Sequence, residues 1–315
     1  MKKRISIITP CYNEELNVQD CVMAIRTLFL EKLPHYDYEH IFCDNASTDK
    51  TVEILTEMSK EDSRIKIIVN ARNYGPFRSM FNGLCKAKGD AVLVMFAADL
   101  QDPPQLIPVF VEKWEQGYEV VYGVRANRQE SKIMHSIRKC YYRVLSYCAD
   151  VLIPLDAGEF QLIDKVVLEA LKKHDDYYPY IRGMIANCGF RSIGISYEMQ
   201  VRRKGFSKTG FYHLIDQGLN GLISFTNFPM RLCMFLGFII SIISFSYAGF
   251  CFIYNLVHHG NVTVPGIPTL IVALFFFGGV QLLFLGVIGE YVAAIHSQVR
   301  KRPLVVSRAE INFVE

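Results

Sequence analysis

Residues 91–104 read AVLVMFAADLQDPP. The apolar run from Ala91 to Phe96 has the character of a strand, and it ends abruptly in Asp99, Gln101 and Asp102, followed by Pro103 and Pro104. In an open α/β sheet, ligands bind just beyond the carboxyl ends of the strands, so these carboxylate and amide oxygens stand where a substrate would lie. Oxygen donors at that place suit a hard divalent cation that bridges phosphates. The two prolines stop the strand and fix the loop before the next helix. A lone D-x-x-D is more often a solvated acidic turn, and the rest of the chain decides between the two.

Outward from this run, short apolar segments alternate with helical ones. Ile5–Thr9, His40–Cys43, Ile65–Val69 and Glu119–Tyr122 read as further strands, and Glu14–Leu30, Asp49–Lys60, Phe77–Ala87 and Pro104–Gln116 as helices. Leu16, Val18, Val22, Ile25, Leu28 and Phe29 give the first helix an apolar face. Asp49 is placed to cap the second. Alternation at this spacing predicts an α/β, Rossmann-like domain whose mostly parallel sheet carries helices on both faces. Its ligand edge then collects the loops Pro10–Glu15, Asp44–Ser47, Asn73–Gly75 and Ala98–Asp102.

The chain has 315 residues, room for one sizeable domain and an appendage. A charged fraction of 21% with mean hydropathy +0.18 is apolar for a soluble enzyme, and the excess is localised. From Leu232 to Gly289 there is no Asp, Glu, Lys or Arg. Leu232–Val257 and Ile267–Gly289 each exceed the roughly 20 apolar residues that cross a bilayer, and a polar turn from His258 to Gly266 joins them. A transmembrane hairpin is expected. Arg231 precedes it and Arg300-Lys301-Arg302 follows it, which places both ends in the cytoplasm. The start, MKKRISIITP, has too short an apolar run for a signal peptide. The expectation is a multi-pass protein of the inner (plasma) membrane with its large N-terminal part in the cytoplasm.

Nine cysteines lie scattered without C-x-x-C spacing, as in a reduced cytosolic protein, and speak against zinc or a disulfide framework. A net charge of +3 is too small to indicate a nucleic-acid partner. Ser131–Leu152 mixes basic and aromatic residues, suited equally to a membrane interface or to a helix packed on the sheet. Phe211–Phe228 is a second amphipathic candidate. The expected organisation is an α/β domain over 1–208, a juxtamembrane segment over 209–230, two membrane helices within 231–299 (about 232–257 and 267–291) and a basic cytoplasmic tail over 300–315. Every sheet motif lies upstream of Asn227, so a chain ended there is expected to fold.

Taken together, Thr9-Pro-x-Tyr-Asn-Glu-Glu15, Cys43-Asp-Asn-Ala-Ser-Thr-Asp49 and Ala98-Asp-Leu-Gln-Asp-Pro-Pro104 resemble the family 2 glycosyltransferases of GT-A fold. More narrowly, the chain resembles the polyprenyl-phosphate glycosyltransferases related to dolichyl-phosphate mannose synthase. The likeness runs nearly end to end, through Gly123-Val-Arg125, Asp156-Ala-Gly-Glu-Phe160, Arg202-x-x-Gly-x-Ser-Lys208, Gly278-Gly-Val-Gln-Leu-Leu and Gly289-Glu-Tyr291. Each motif alone is weak, and in this order they are strong.

The resemblance implies inverting transfer of a sugar from a nucleotide-sugar, most readily a UDP-sugar, to an undecaprenyl- or dolichyl-type phosphate. The product would be a lipid-linked sugar donor for cell-envelope glycan modification. It assigns Pro10, Tyr12, Glu14 and Asp44 to the nucleotide-sugar, with capping of the Ser47–Asp49 turn as the structural alternative for Asp44. Asp99 and Gln101 would hold Mg²⁺ or Mn²⁺ and take part in catalysis, the cation neutralising charge on the departing diphosphate. Glu159 would orient acceptor or sugar, or else pair with a buried charge. Arg125, Arg138, Arg202, Ser207 and Lys208 would bind the acceptor phosphate, with attraction of the Arg202–Lys208 cluster to anionic headgroups as the alternative. Relatives assemble through their membrane segments, and Gly278, Gly279, Gly286 and Gly289 would permit the close packing of a homo-oligomer.

The chain departs from the family pattern at Ala97, where the first Asp of Asp-x-Asp usually stands; Mg²⁺ is content with one or two carboxylates. Glu159 stands where many relatives have Asp, and Gln161 and Met199 where they often have Arg. A processive polysaccharide synthase is a second reading, but its Gln-x-x-Arg-Trp motif is absent, the only tryptophan being Trp114. A non-catalytic scaffold is a third, supported by Ala97 alone.

Overall fold

The computed structural model describes residues 2–125, 157–174, 176–177, 179–200, 228–257, 267–300 and 302–313. They divide into two units, an α/β domain that includes the residues after 300 and a helical unit. In chain order the α/β domain holds β1 (Arg4–Cys11), α1 (Val18–Glu31), β2 (Asp37–Asp44), α2 (Thr51–Glu61), β3 (Ile65–Asn70), α3 (Pro76–Lys86), β4 (Ala91–Leu93) and α4 (Leu106–Glu115). It continues through β5 (Val120–Arg125), β6 (Ala157–Asp164), α5 (Lys165–Lys172), α6 (Ile181–Asn187), β7 (Ser192–Tyr197) and β8 (Ser307–Ile311).

The eight strands form one sheet in the order β7-β5-β6-β4-β1-β2-β3-β8. Strands β4, β1, β2 and β3 are mutually parallel, as their alternation with helices predicts. β1 and β2 are buried along nearly their whole length, the pattern of strands covered on both faces. Two strands run against the rest: β6, wedged between β4 and β5, and β8, at the outer side of β3. Neither these nor β7 stood out in the sequence, because their pattern follows from the neighbours they pair with.

β4 is shorter than its apolar run. The regular ladder covers Ala91–Leu93, after which Val94 N–H bonds to Gln161 O (2.8 Å) and Phe96 N–H to Ile8 O (2.9 Å) as the chain leaves the sheet. Phe96, Phe110 and Phe160 are fully buried beneath this departure point. Phe160 lies 5.0 Å from Phe110 and 6.2 Å from Phe96 between ring centroids, so an aromatic cluster floors the ligand edge.

The segment expected to be a basic tail supplies β8, antiparallel to β3 with Ile67 opposite Ile311 and Val69 opposite Ala309. A chain ended at Asn227 would therefore lack an edge strand of the sheet, which corrects the expectation that all of the sheet lies upstream.

In the helical unit, α7 spans Phe228–Val257 and α8 spans Ile267–Val299. Large apolar side chains point outward along both, among them Phe238, Phe250, Leu274, Phe275 and Leu282. Among the described residues one helical stretch, Ala273–Val299 with mean hydropathy 1.8, is long and apolar enough to cross a membrane; Met230–Ser244 is a shorter apolar stretch.

One close approach fixes α3 against the sheet. A Cβ on Gly83 would stand 2.4 Å from Cys43 Sγ and 3.2 Å from Ile8 Cγ2. Gly83→Ala gains up to about 1 kcal/mol of helix propensity, but overpacking costs about 1–3 kcal/mol and wins. Gly83→Ala should therefore lower the melting temperature of the detergent-solubilised protein, and Cys43→Ala in the same chain should recover much of the loss. Additive losses would show that Cys43 is not the obstacle.

Candidate active site

The loops after β1 and β2 are stitched together by reciprocal hydrogen bonds between side chain and backbone. Asn13 N–H donates to Ser47 Oγ (2.8 Å), and Asn13 Oδ1 accepts from Thr48 N–H (2.7 Å). Glu14 N–H donates to Thr51 Oγ1 (2.8 Å), and Glu15 Oε2 accepts from Lys50 N–H (3.1 Å). Asp49 accepts from Thr51 N–H at 3.0 Å, the capping bond expected at the start of α2, although its side chain reaches from one residue farther back than the helix boundary. Glu14 Oε2 accepts from Asn17 Nδ2 (2.6 Å).

Asp44 ends β2 opposite Cys11 and is fully buried. Its carboxylate accepts from both the N–H (3.0 Å) and the hydroxyl of Ser47, so the turn-capping role is realised. Burial pushes its pKa up, and the Ser47 bonds pull against that shift. Pro10 lies in β1 opposite Cys43, with Tyr12 and Glu14 just past the strand. All four expected nucleotide-sugar residues thus lie at one end of two neighbouring strands.

The loop that leaves β4 carries Asp99 half-buried, with Gln101 N–H donating to Asp99 Oδ1 (3.2 Å). Leu100, between them, has φ +56°, a left-handed conformation uncommon for a residue with a Cβ. Ala46 (φ +62°) and Asn13 (φ +53°) share it in the two neighbouring loops. Such strained residues persist only where the surroundings over-determine them, and they cluster at functional sites. Among the described residues no three His, Cys, Asp or Glu side chains come together to hold a metal ion. Asp99 and Gln101, the residues expected at a divalent cation, lie together on this loop.

Asp102 is buried at the far end of this loop, where its Oδ1 accepts from the Tyr197 hydroxyl and from Arg125 Nη2 (3.4 Å). Arg125 Nε donates to Tyr197 Oη at 3.1 Å, and Gln200 N–H donates to Gln101 O at 2.9 Å. The ends of β5 and β7 therefore clamp the loop. Arg125, expected at an acceptor phosphate, has two of its nitrogens engaged in this clamp. Asp102 lay in plain view in the sequence. Tyr197 carried no signal, because its partner is 95 residues away.

Because β6 is antiparallel, its first residues lie at the same edge, and Glu159 follows the register Leu93 to Leu162 out beside the departing chain. Glu159 Oε2 is buried with no hydrogen-bond partner among the described residues. Burial raises the carboxyl pKa, against the opposing pull of the Arg182 and Arg125 cations. Arg182, in α6, is itself buried and was missed in the sequence. Arg138, Arg202, Ser207 and Lys208, together with both amphipathic candidates up to residue 227, lie outside the described residues.

The geometry is that of an α/β enzyme whose strand-end acids face a single ligand edge. Residues 6–172 match the model of glycosyl transferase family 2. An uncharacterized glycosyltransferase of Synechocystis sp. is 35% identical, over 96% of this chain and 94% of its own. The bactoprenol glucosyl transferase of Shigella phage SfV is 30% identical, over 98% and 99%; a prophage-derived one of Shigella flexneri is 31% identical, over 95% and 96%. Among solved structures, the Pyrobaculum calidifontis mannosyltransferase PcManGT in complex with GDP-Man and Mn²⁺ aligns with TM-score 0.48 and 16% identity over 96% of this chain and 87% of that one. The chain belongs to glycosyl transferase family 2. It is a glycosyltransferase, as its motifs led one to expect.

Two substitutions separate the roles around the clamp. Asp102→Asn leaves the Arg125 cation without its counter-charge and should cost about 1–3 kcal/mol, whereas Tyr197→Phe removes one hydroxyl and should cost about 1 kcal/mol. Thermal unfolding checks the order, and an equal or reversed cost would show that the ion pair does not hold the loop.

Glu159 makes a pH-dependent contribution. A carboxyl whose pKa is raised on folding favours the folded state below its ordinary pKa and loses that contribution as pH rises through the folded value. Glu159→Gln should therefore melt at the same or a higher temperature than the parent at pH 8, the gain shrinking toward pH 4. A gain that grows on acidification would contradict the raised pKa.

Proposed function

We propose that this chain is an inverting hexosyltransferase that moves a sugar from a nucleotide-sugar, in the first instance a UDP-sugar, to a polyprenyl phosphate. The product is a lipid-linked sugar that serves as donor for cell-envelope glycan modification. The observation that carries the reading is the placement of Asp44, Asp99, Gln101 and Glu159, from two strands and the loop after a third, at one edge of the sheet in a family 2 chain. The acceptor class is supported by the relatives named bactoprenol glucosyl transferases, which match nearly the whole chain.

A lipid phosphate is already an anion near neutral pH. Its oxygen attacks the anomeric carbon, the bond from that carbon to the diphosphate oxygen breaks, and the nucleoside diphosphate departs with the electron pair. No strong base is required, and positioning does most of the work. Asp44 and the stitched loops hold the base and ribose end of the donor. Glu159, whose buried Oε2 has no partner among the described residues, receives a hydroxyl of the sugar or orients the acceptor. Asp99 and Gln101 would hold Mg²⁺ or Mn²⁺, and the cation would supply neutralisation of the leaving group. Arg138, Arg202, Ser207 and Lys208 bind the acceptor phosphate, and Arg125 contributes its remaining charge.

The protein resides in the inner (plasma) membrane, crosses it twice through α7 and α8, and keeps its catalytic domain in the cytoplasm. The lengths of the two helices, about 45 and 50 Å at 1.5 Å per residue, support this. So does the return of the chain to the sheet as β8: a chain that leaves a domain and rejoins it on the same side crosses a bilayer an even number of times. A Cβ built at Gly278, Gly279, Gly286 or Gly289 would meet nothing within 4 Å among the described residues, which supports a homo-oligomer packed through α8.

Purified protein, a short polyprenyl phosphate and a panel of labelled UDP- and GDP-sugars test the reading. One donor should yield a glycolipid and free nucleoside diphosphate; a polysaccharide product, or no glycolipid with any donor, would sink the proposal. Asp99→Asn should slow transfer about a hundredfold or more, and chelation should abolish it reversibly. Ala97→Asp should tighten metal affinity or leave it unchanged.

A further inference from the structure

We infer that β8, the strand after the second apolar helix, is a positioning element of the donor site: it holds the β3–α3 loop, Ala71–Gly75, in the shape that borders Asp44. The inference rests on the donor reading above.

The loop is pinned at two ends. At its start, Ala71 N–H donates to Val306 O at 2.9 Å, one residue ahead of β8. At its finish, Tyr74 N–H donates to Asn45 Oδ1 at 2.9 Å, and Asn45 is the residue after Asp44. Asn70, the last residue of β3 and the partner of Ser307 in the ladder, ties the two ends together. Its Nδ2 donates to Asn45 Oδ1 (3.2 Å) and Ser79 Oγ (2.8 Å). Its Oδ1 is buried with no hydrogen-bond partner among the described residues. An orphaned buried acceptor costs free energy, and a strand that clamps the adjoining backbone keeps it in place.

β8 is fastened by more than its ladder. Glu310 forms an ion pair with Lys86 of α3, and Ser307 Oγ accepts from Asn82 Nδ2 at 3.4 Å. Asn312, in the left-handed conformation at φ +62°, turns its Nδ2 to Ser59 O (2.8 Å) and Ile65 O (2.9 Å). The end of α2, the start of β3 and the face of α3 are thereby joined by a segment more than 220 residues farther along the chain. Without it β3 would be an edge strand, free to fray at the end where the donor loop begins.

The test uses the full chain in detergent and measures the dissociation constants of UDP and GDP by calorimetry in the presence of Mg²⁺ or Mn²⁺, together with the acceptor KM. Ending the chain after Leu304 should weaken nucleotide binding about tenfold, the effect of losing one positioning hydrogen bond, and leave the acceptor KM unchanged. A synthetic peptide of residues 305–315 should restore it. Should the shortened chain fail to fold, charge reversal decides: Glu310→Lys should weaken nucleotide binding about threefold, and Lys86→Glu with Glu310→Lys should restore it. A lowered melting temperature with unchanged nucleotide affinity would overturn the inference and leave β8 a structural edge only. If the parent protein binds neither nucleotide, the donor reading itself fails and this inference with it.

Discussion

Strand β6 runs against the strands on either side, and the ligand edge depends on that reversal. In a parallel sheet the residues nearest the substrate come from strand ends. An antiparallel insert delivers its beginning to the same edge. Leu162 pairs with Leu93, and the residues before Leu162 run out beside the chain that leaves β4. This sets Glu159 next to the Asp99–Gln101 loop across a sequence gap of some sixty residues. The same register places Phe160 in the aromatic floor under Phe96, so packing and chemistry are fixed together.

Around that edge, order is imposed from several sides at once. The β1 and β2 loops exchange hydrogen bonds with one another, the β4 loop is clamped by Asp102, Tyr197 and Arg125, and the β3 loop is pinned by Asn45 and Val306. Three non-glycine residues in left-handed backbone sit within these loops and are sustained by that cross-bracing. A site built this way is preorganised before any ligand arrives, which lowers the cost of ordering it on binding.

Charge is handled differently in the two acidic groups to which we assign the chemistry. Asp99 is half-buried, as the proposed role at a cation requires. Glu159 is held in the interior, where desolvation raises its pKa and two arginines restrain the shift. One is suited to meet an ion, the other to accept a hydrogen bond from a neutral group.

The sequence by itself determined the α/β alternation, the four parallel strands from β1 to β4, the acids at their ends, the apolar helices and the family. These are local: a buried strand needs a run of apolar residues, a strand end needs a turn, and a membrane helix needs length and apolarity. Tertiary structure alone decided the rest. Tyr197 and Arg182 acquire meaning only from partners brought near by β6 and β7, and β8 is a short, mostly exposed stretch whose ladder exists because β3 offers an unpaired edge. Asp44 makes the same point within one motif. Its place and the capping of the Ser47 turn were legible, but its full burial follows from the packing of β2 between two strands, where an ionised carboxylate must find donors or lose its charge.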